Sequence, residues 1–283
     1  MRVGLLQLSS TDDPDANLTA TRALLSEAAA DGAEFVLTPE VTNCVSGDRA
    51  HQRAVLRPEA DDPTLAALCA DAARLGVWIL IGSLALRTAD ADGRFANRSF
   101  LIDPAGRVVA RYDKIHMFDV AVSETETYRE SAGYRPGSRA VLTQTPWGRV
   151  GMTICYDLRF PALYRRLAQA GADFLTVPSA FSTVTGAAHW HPLLRARAIE
   201  TGCFVLAPAQ TGDHAAATPA DAGPGTAPRR TYGHSLVVAP WGEVLLDAGT
   251  EPGAHVLAID PQEVAAARAR IPSLGADRPW DGP

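Results

Sequence analysis

The chain has 283 residues, enough for one large α/β domain or two small ones and for a sizeable buried core. With 47% hydrophobic and 20% charged residues it has a globular composition. Its net charge of −6 and lack of a basic stretch interleaved with aromatics argue against nucleic acid as a partner. The opening segment, residues 2–8, is too short and too closely followed by Asp12 and Asp13 for a signal peptide or membrane span, so the expected location is the cytoplasm. Cysteines stand at 44, 69, 155 and 203 with no CxxC spacing, which suggests neither a disulfide framework nor a zinc site. His189-Trp-His191 is the only close histidine pair and has no third ligand beside it, so no metal and no other cofactor is expected.

Residues 2–8 read as a strand, and an Ala-rich helix over about 14–31 follows, with Asp12-Asp13-Pro14 at its start and Gly32 at its end. A short apolar strand, 35–38, leads to Glu40 and then to a polar loop through Arg49 to Asp62. A helix over about 63–75 stops at Gly76, before the apolar strand 77–81, giving a βαβαβ order. Three segments, Asp103-Pro-Ala-Gly106, Thr145-Pro-Trp-Gly148 and Ala239-Pro-Trp-Gly242, place Pro and Gly as a type I turn requires, between β-rich flanks. Each predicts a hairpin between an outer strand and one that runs back. The βα alternation resumes after Cys155, with helix 161–170, strand 173–178, helix about 187–201 and strand 203–208. Two βα halves flanking hairpins predict one α/β domain over 1–283, a four-layer αββα sandwich. Residues 211–230, rich in Ala, Pro and Gly, read as a mobile surface loop, and from Pro261 a short Ala/Arg helix leads into a Pro-rich tail.

The chemistry points to three strand ends. Val150-Gly-Met-Thr-Ile-Cys-Tyr-Asp-Leu-Arg-Phe-Pro161 reads as a strand that stops on Cys155 and turns into a helix with Pro161 in its first turn. A thiol at such an elbow lies near backbone N–H groups and a helix N-terminus, which favour thiolate and can hold an oxyanion, although a buried core cysteine is the plain alternative. Glu34-Phe-Val-Leu-Thr-Pro-Glu40 is a strand ending on a carboxylate, and Val108-Val-Ala-Arg-Tyr-Asp-Lys114 is one ending on an ammonium. Taken singly, Glu40 and Lys114 fit ordinary surface residues.

Together with Lys114-Ile-His-Met-Phe-Asp119, Tyr128-Arg-Glu-Ser131, Pro178-Ser-Ala-Phe181, Arg195-Ala-Arg-Ala-Ile-Glu-Thr201 and Tyr232-Gly-His-Ser235, these motifs resemble the nitrilase superfamily of carbon–nitrogen hydrolases. The likeness spans nearly the whole chain and is strongest to the Nit-type amidases. It implies the same αββα fold, and a C-terminal tail that packs on a partner subunit, hence a homodimer. It further implies Cys155 as nucleophile, Glu40 as general base and acid, and Lys114 with the Tyr156 N–H as oxyanion holders, with Glu130 positioning Lys114 or binding substrate nitrogen. Such a set meets the needs of amide hydrolysis, which requires a nucleophile, a proton carrier and a stabiliser of negative charge.

For substrate recognition, Arg159 stands where related hydrolases hold a carboxylate, though a salt bridge to Asp157 fits equally; Phe181 would wall the pocket or fill the core. Arg197 and Glu200 have the spacing of a local helical pair. His191 replaces a glutamate usual after His-Trp in Nit-type amidases. The expected substrate is a small carboxylated amide, deaminated glutathione first or an ω-amide such as α-ketoglutaramate. Nitrile hydrolysis, acyl transfer by the same triad, and a catalytically dead binding protein remain the rival functions.

Overall fold

The computed structural model describes residues 1–121, 127–214 and 229–282. In chain order the first half holds β1 (Arg2–Gln7), α1 (Pro14–Ala30), β2 (Phe35–Leu37), α2 (Arg49–Val55), α3 (Pro63–Leu75) and β3 (Trp78–Leu86). Next come β4 (Ala96–Ile102), β5 (Val108–Asp113), β6 (Asp119–Ala121), β7 (Thr127–Arg129), β8 (Val141–Thr145) and β9 (Gly148–Met152). The second half continues with α4 (Pro161–Gln169), β10 (Phe174–Thr176), α5 (Thr183–Thr201), β11 (Phe204–Ala207) and β12 (Thr211–His214). It closes with β13 (Arg229–Tyr232), β14 (Leu236–Val238), β15 (Val244–Asp247), β16 (Gly253–Ala258) and α6 (Glu263–Arg270).

Two six-stranded sheets result, ordered β16-β1-β2-β3-β4-β5 and β15-β14-β11-β10-β9-β8. Each has three parallel strands at its centre, β1-β2-β3 in one and β9-β10-β11 in the other, flanked by antiparallel ones. Side chains on successive strand positions point to opposite faces, and because both faces of the central strands are buried, the period shows in which core each side chain joins. Leu5, Phe35, Leu37, Leu80 and Leu101 join a core with Val150, Met152 and Phe174 of the other sheet. Their neighbours Leu6, Val36, Ile79, Ile81 and Phe100 pack instead with Leu25, Ala28, Leu68 and Ala72 of α1 and α3. On the far side α4 and α5 cover the second sheet with Leu167, Trp190, Leu194 and Ala198. The order of layers is therefore helix, sheet, sheet, helix, as the sequence predicts.

All three predicted turns close hairpins, between β4 and β5, β8 and β9, and β14 and β15. Helix boundaries follow their caps: Asp13 accepts from the Asp15 and Ala16 N–H groups at 2.9 and 3.2 Å, and Gly76 and Gly202 end α3 and α5 in the left-handed conformation. Three expectations need correction. The stretch read as a polar loop from Arg49 contains α2, capped by Asp48, whose Oδ1 accepts from Ala50 and His51. And α5 starts at Thr183, four residues before the expected start, with Pro192 inside it. Of the stretch read as one irregular loop, residues 211–214 and 229–230 belong to the antiparallel pair β12-β13, while 215–228 lie outside the described residues. The tail folds back on its own α4, where Gln169 Nε2 donates to Asp277 Oδ2 at 2.7 Å and to the Leu274 carbonyl at 3.1 Å.

Candidate active site

The C-terminal ends of parallel strands open on a common crevice, the usual ligand position in open α/β sheets. Glu40 stands three residues beyond β2, in a turn clamped to β3 by Thr38 N–H to Leu80 O at 3.0 Å and Val41 N–H to Ser83 Oγ at 2.8 Å. Val41 takes a φ of 48°, a left-handed backbone that a β-branched residue rarely adopts and that stores about 1–3 kcal/mol. Gly82 makes the approach possible: a Cβ there would stand 2.0 Å from the Thr38 carbonyl oxygen and 2.5 Å from Pro178 Cβ.

Lys114 follows β5 directly and is 2% exposed. Its Nζ lies 2.8 Å from Glu40 Oε1, 2.8 Å from Glu130 Oε2 and 3.0 Å from Glu130 Oε1. Asn97 Nδ2, from β4, donates to Glu40 Oε1 at 2.9 Å, the Ala180 N–H donates to Glu40 Oε2 at 2.9 Å, and the Phe118 N–H donates to Glu130 Oε2 at 2.7 Å. Burial pushes the Glu40 carboxyl up, but the Lys114 charge and hydrogen bond, aided by Arg229, outweigh it and hold Glu40 below its ordinary value. For Lys114, burial alone would favour the neutral amine, and the charges of Glu130 and Glu40 reverse this and keep it protonated.

Cys155 opens a five-residue 3-10 turn, Cys155–Arg159, with a φ of 47°. Its N–H donates to Pro178 O at 3.0 Å. Asp157, fully buried, locks the turn to the Lys114 loop: it accepts from Ile154 N–H at 2.9 Å, His116 N–H at 3.0 Å and Tyr112 OH at 2.6 Å. Arg197 pairs with Glu200 at 2.8 Å as its spacing predicts, and also donates to the Leu158 carbonyl, bracing the same turn. Tyr156 is the second residue of the turn, where a backbone N–H finds no partner within the turn itself. The expectation of a favoured thiolate does not hold. Burial first, and then the charge of the Glu40 carboxylate, raise the Cys155 pKa, and Lys114 only partly offsets them. One 3-10 turn is too short a dipole to outweigh desolvation.

Glu40, Lys114, Glu130 and Cys155 thus converge, and they line a cavity of about 300 Å³ together with Tyr156 and Phe181. Arg159 is not part of that lining. Its guanidinium lies 5.9 Å from the Tyr156 ring centroid and 5.3 Å from that of Phe181, and its Nη1 is 3.2 Å from His189 Nδ1, so the Asp157 bridge is not made either. The cationic lining groups besides Lys114 are Arg49, Arg129 and Arg229, none of which the sequence singled out as binding residues. Of the histidine pair, His191 meets two groups distant in sequence: its Nε2 is 2.9 Å from Asp247 Oδ2, and His234 Nδ1 is 2.8 Å from Asp247 Oδ1. The three ligand atoms lie within 4.8 Å of one another, a cluster of two histidines and one aspartate that the sequence could not reveal.

Fold and site geometry define a hydrolase of the αββα type, and comparison with known proteins agrees. The carbon-nitrogen hydrolase family profile matches residues 2–269, and the chain belongs to that family, hydrolases that act on carbon–nitrogen bonds. It is 38% identical over 277 residues to a deaminated glutathione amidase of Yersinia enterocolitica, covering 98% of this chain and 92% of that one. To the deaminated glutathione amidase of Synechocystis it is 39% identical over 272 residues, covering 95% of each. Among solved structures, the C. elegans NitFhit protein superimposes with a TM-score of 0.86 at 32% identity, covering 98% of this chain and 65% of that longer one.

Proposed function

We propose that the protein is an amidase that cleaves a small carboxylated amide through a thioester on Cys155. The observation that carries this reading is a fully buried ammonium, Lys114, held between two carboxylates beside a buried thiol. Charged groups withdrawn from water cost stability that pairing only partly offsets, and such clusters concentrate at functional sites.

Substrate enters the cavity with its carbonyl carbon facing Cys155 Sγ. Glu40 removes the thiol proton as sulfur attacks, and the C–S bond forms while the carbonyl π pair moves onto oxygen. Lys114 and the Tyr156 N–H hold that oxyanion. As the C–N bond breaks, Glu40 returns the proton to the leaving amine, which departs neutral. Water then gives a proton to Glu40 and attacks the thioester; as the C–S bond breaks, Glu40 returns that proton to sulfur, which releases the carboxylic acid and restores the thiol and the carboxylate. Glu130 keeps Lys114 charged and aimed.

Deaminated glutathione is the first candidate substrate, supported by the names of the relatives and by a cavity bearing three arginines; α-ketoglutaramate is the second. The test is amine release across a panel of amides and nitriles with Cys155→Ala as control. Turnover of nitriles alone would refute the amidase reading.

We read residues 1–283 as one domain acting in the cytoplasm as a homodimer. Ile199, Trp241 and Ile271 are 54%, 41% and 58% exposed, and they line a second cavity of about 300 Å³ with Leu274, an apolar face that a second copy would cover. Among the described residues no helix is long and apolar enough to cross a membrane. Sedimentation of the wild type and of an Ile199→Glu, Ile271→Glu variant tests the dimer; a monomeric wild type removes it.

A further inference from the structure

The cavity's three guanidinium groups are not equivalent. Arg49 Nη1 donates to Gln52 Oε1 at 2.7 Å and its guanidinium lies over the Tyr134 ring. Arg129 stands opposite Asp119 in the β6-β7 pair, where burial pushes that carboxyl up and hydrogen bonds from Ser131 and Glu130, with the Arg129 charge, outweigh it. Arg229 donates from Nη2 to the Ala180 carbonyl at 2.9 Å and lies 5.9 Å from the Tyr128 ring centroid. Among the described residues no carboxylate forms an ion pair with it. Ala180 is also the residue whose N–H donates to Glu40, so Arg229 is tied to the reacting carboxylate through a single residue. A guanidinium with one N–H committed to Ala180 keeps an edge free for two parallel bonds to a carboxylate.

Resting on the amidase reading above, we propose that Arg229 binds the substrate carboxylate, at the end of a short acyl chain opposite the scissile amide. The ligand class is the linear monoamide of a dicarboxylic acid. Arg159, the residue the sequence favours, lies outside the cavity lining and has its face turned to Tyr156 and Phe181.

The experiment compares kcat/KM for glutaramate with that for pentanamide, its neutral five-carbon counterpart, in the wild type and in Arg229→Ala, Arg229→Lys and Arg159→Ala. A ratio of two substrates on one preparation is independent of the fraction folded. The wild-type preference for glutaramate should fall at least about tenfold in Arg229→Ala, through KM, recover in part in Arg229→Lys and persist in Arg159→Ala. The acid limb of the pH profile should also move up in Arg229→Ala for both substrates. A shifted acid limb with an undiminished preference would reduce Arg229 to a remote charge and overturn the inference. Loss of the preference in Arg159→Ala instead would overturn it in favour of Arg159. A wild type with no preference would overturn the carboxylated-amide reading and this inference together.

Discussion

Cys155 and Glu40 face the same cavity, Cys155 only 7% and Glu40 3% exposed, and each acts on the protonation of the other. That pairing stabilises the thiol form of one residue and the carboxylate form of the other, so the proton rests on sulfur until a carbonyl arrives to take the sulfur's electrons. The geometry suits a concerted transfer better than a preformed thiolate.

Replacing Cys155 by Ala should abolish turnover while leaving Tm within a few degrees, because Lys114 keeps both carboxylate partners. Calorimetry and a turnover assay on the same preparation check this. Residual activity near the wild-type level would remove Cys155 as nucleophile.

Glu40→Gln preserves shape and removes both the base and a negative charge. The expected drop in kcat is about 10² or more. Because the Glu40 charge is one of the forces raising the thiol pKa, the midpoint for alkylation of Cys155 should move to lower pH in the same variant. Opposite responses of turnover and alkylation would separate a base from a residue that merely shapes the pocket; a midpoint moving up contradicts the electrostatics described above.

Asp157→Asn should slow catalysis without touching substrate. The carboxylate accepts from Tyr112 OH and the Ile154 and His116 N–H groups, and its Oδ1 also lies 2.7 Å from His116 Nδ1; an amide in its place sets an NH2 donor against at least one buried N–H. The loss is about 1–3 kcal/mol of stability. A fall in kcat with KM little changed is expected, since the Cys155 turn and the Lys114 loop would lose their shared anchor.

His214 offers a pH test away from the chemistry. Buried between the Ser10 carbonyl and Thr231 Oγ1, it is held neutral, its pKa pushed down from 6.5 to about 4, first by burial. A base whose folded pKa is depressed stabilises the fold fully above its unfolded value and loses that contribution as pH falls, here between 6.5 and about 4. The loss approaches roughly 3 kcal/mol at the acid end. His214→Gln should flatten the dependence of Tm on pH in that window, and an unchanged slope would show that another group carries it.

Much of this protein is written in short stretches of sequence. Strand alternation, the Pro-Gly turns and the boundary residues Asp13 and Gly76 each depend on neighbours a few positions away, so the layers and most boundaries could be read from the sequence. Glu40, Lys114 and Cys155 each end a predicted strand, but singly each fitted an ordinary residue, and only the resemblance carried by the motifs around them marked the three as a set. Helix α2 was not, because seven mostly polar residues lack an apolar period, although Asp48 marked its start.

What the chain alone could not decide is which groups meet. Asn97 reaches Glu40 across 57 positions and the Ala180 N–H across 140, and His191 finds Asp247 across 56. These contacts depend on sheet register and on how two sheets stack, which no local pattern encodes. The protonation of Cys155 belongs to the same class. Local sequence shows a turn whose N–H groups favour thiolate; only the packed structure supplies the desolvation and the adjacent Glu40 charge that reverse it. The choice between Arg159 and Arg229 also rests on tertiary structure, because an arginine's reach from the nucleophile is set by the loops that carry it, whatever its distance along the chain.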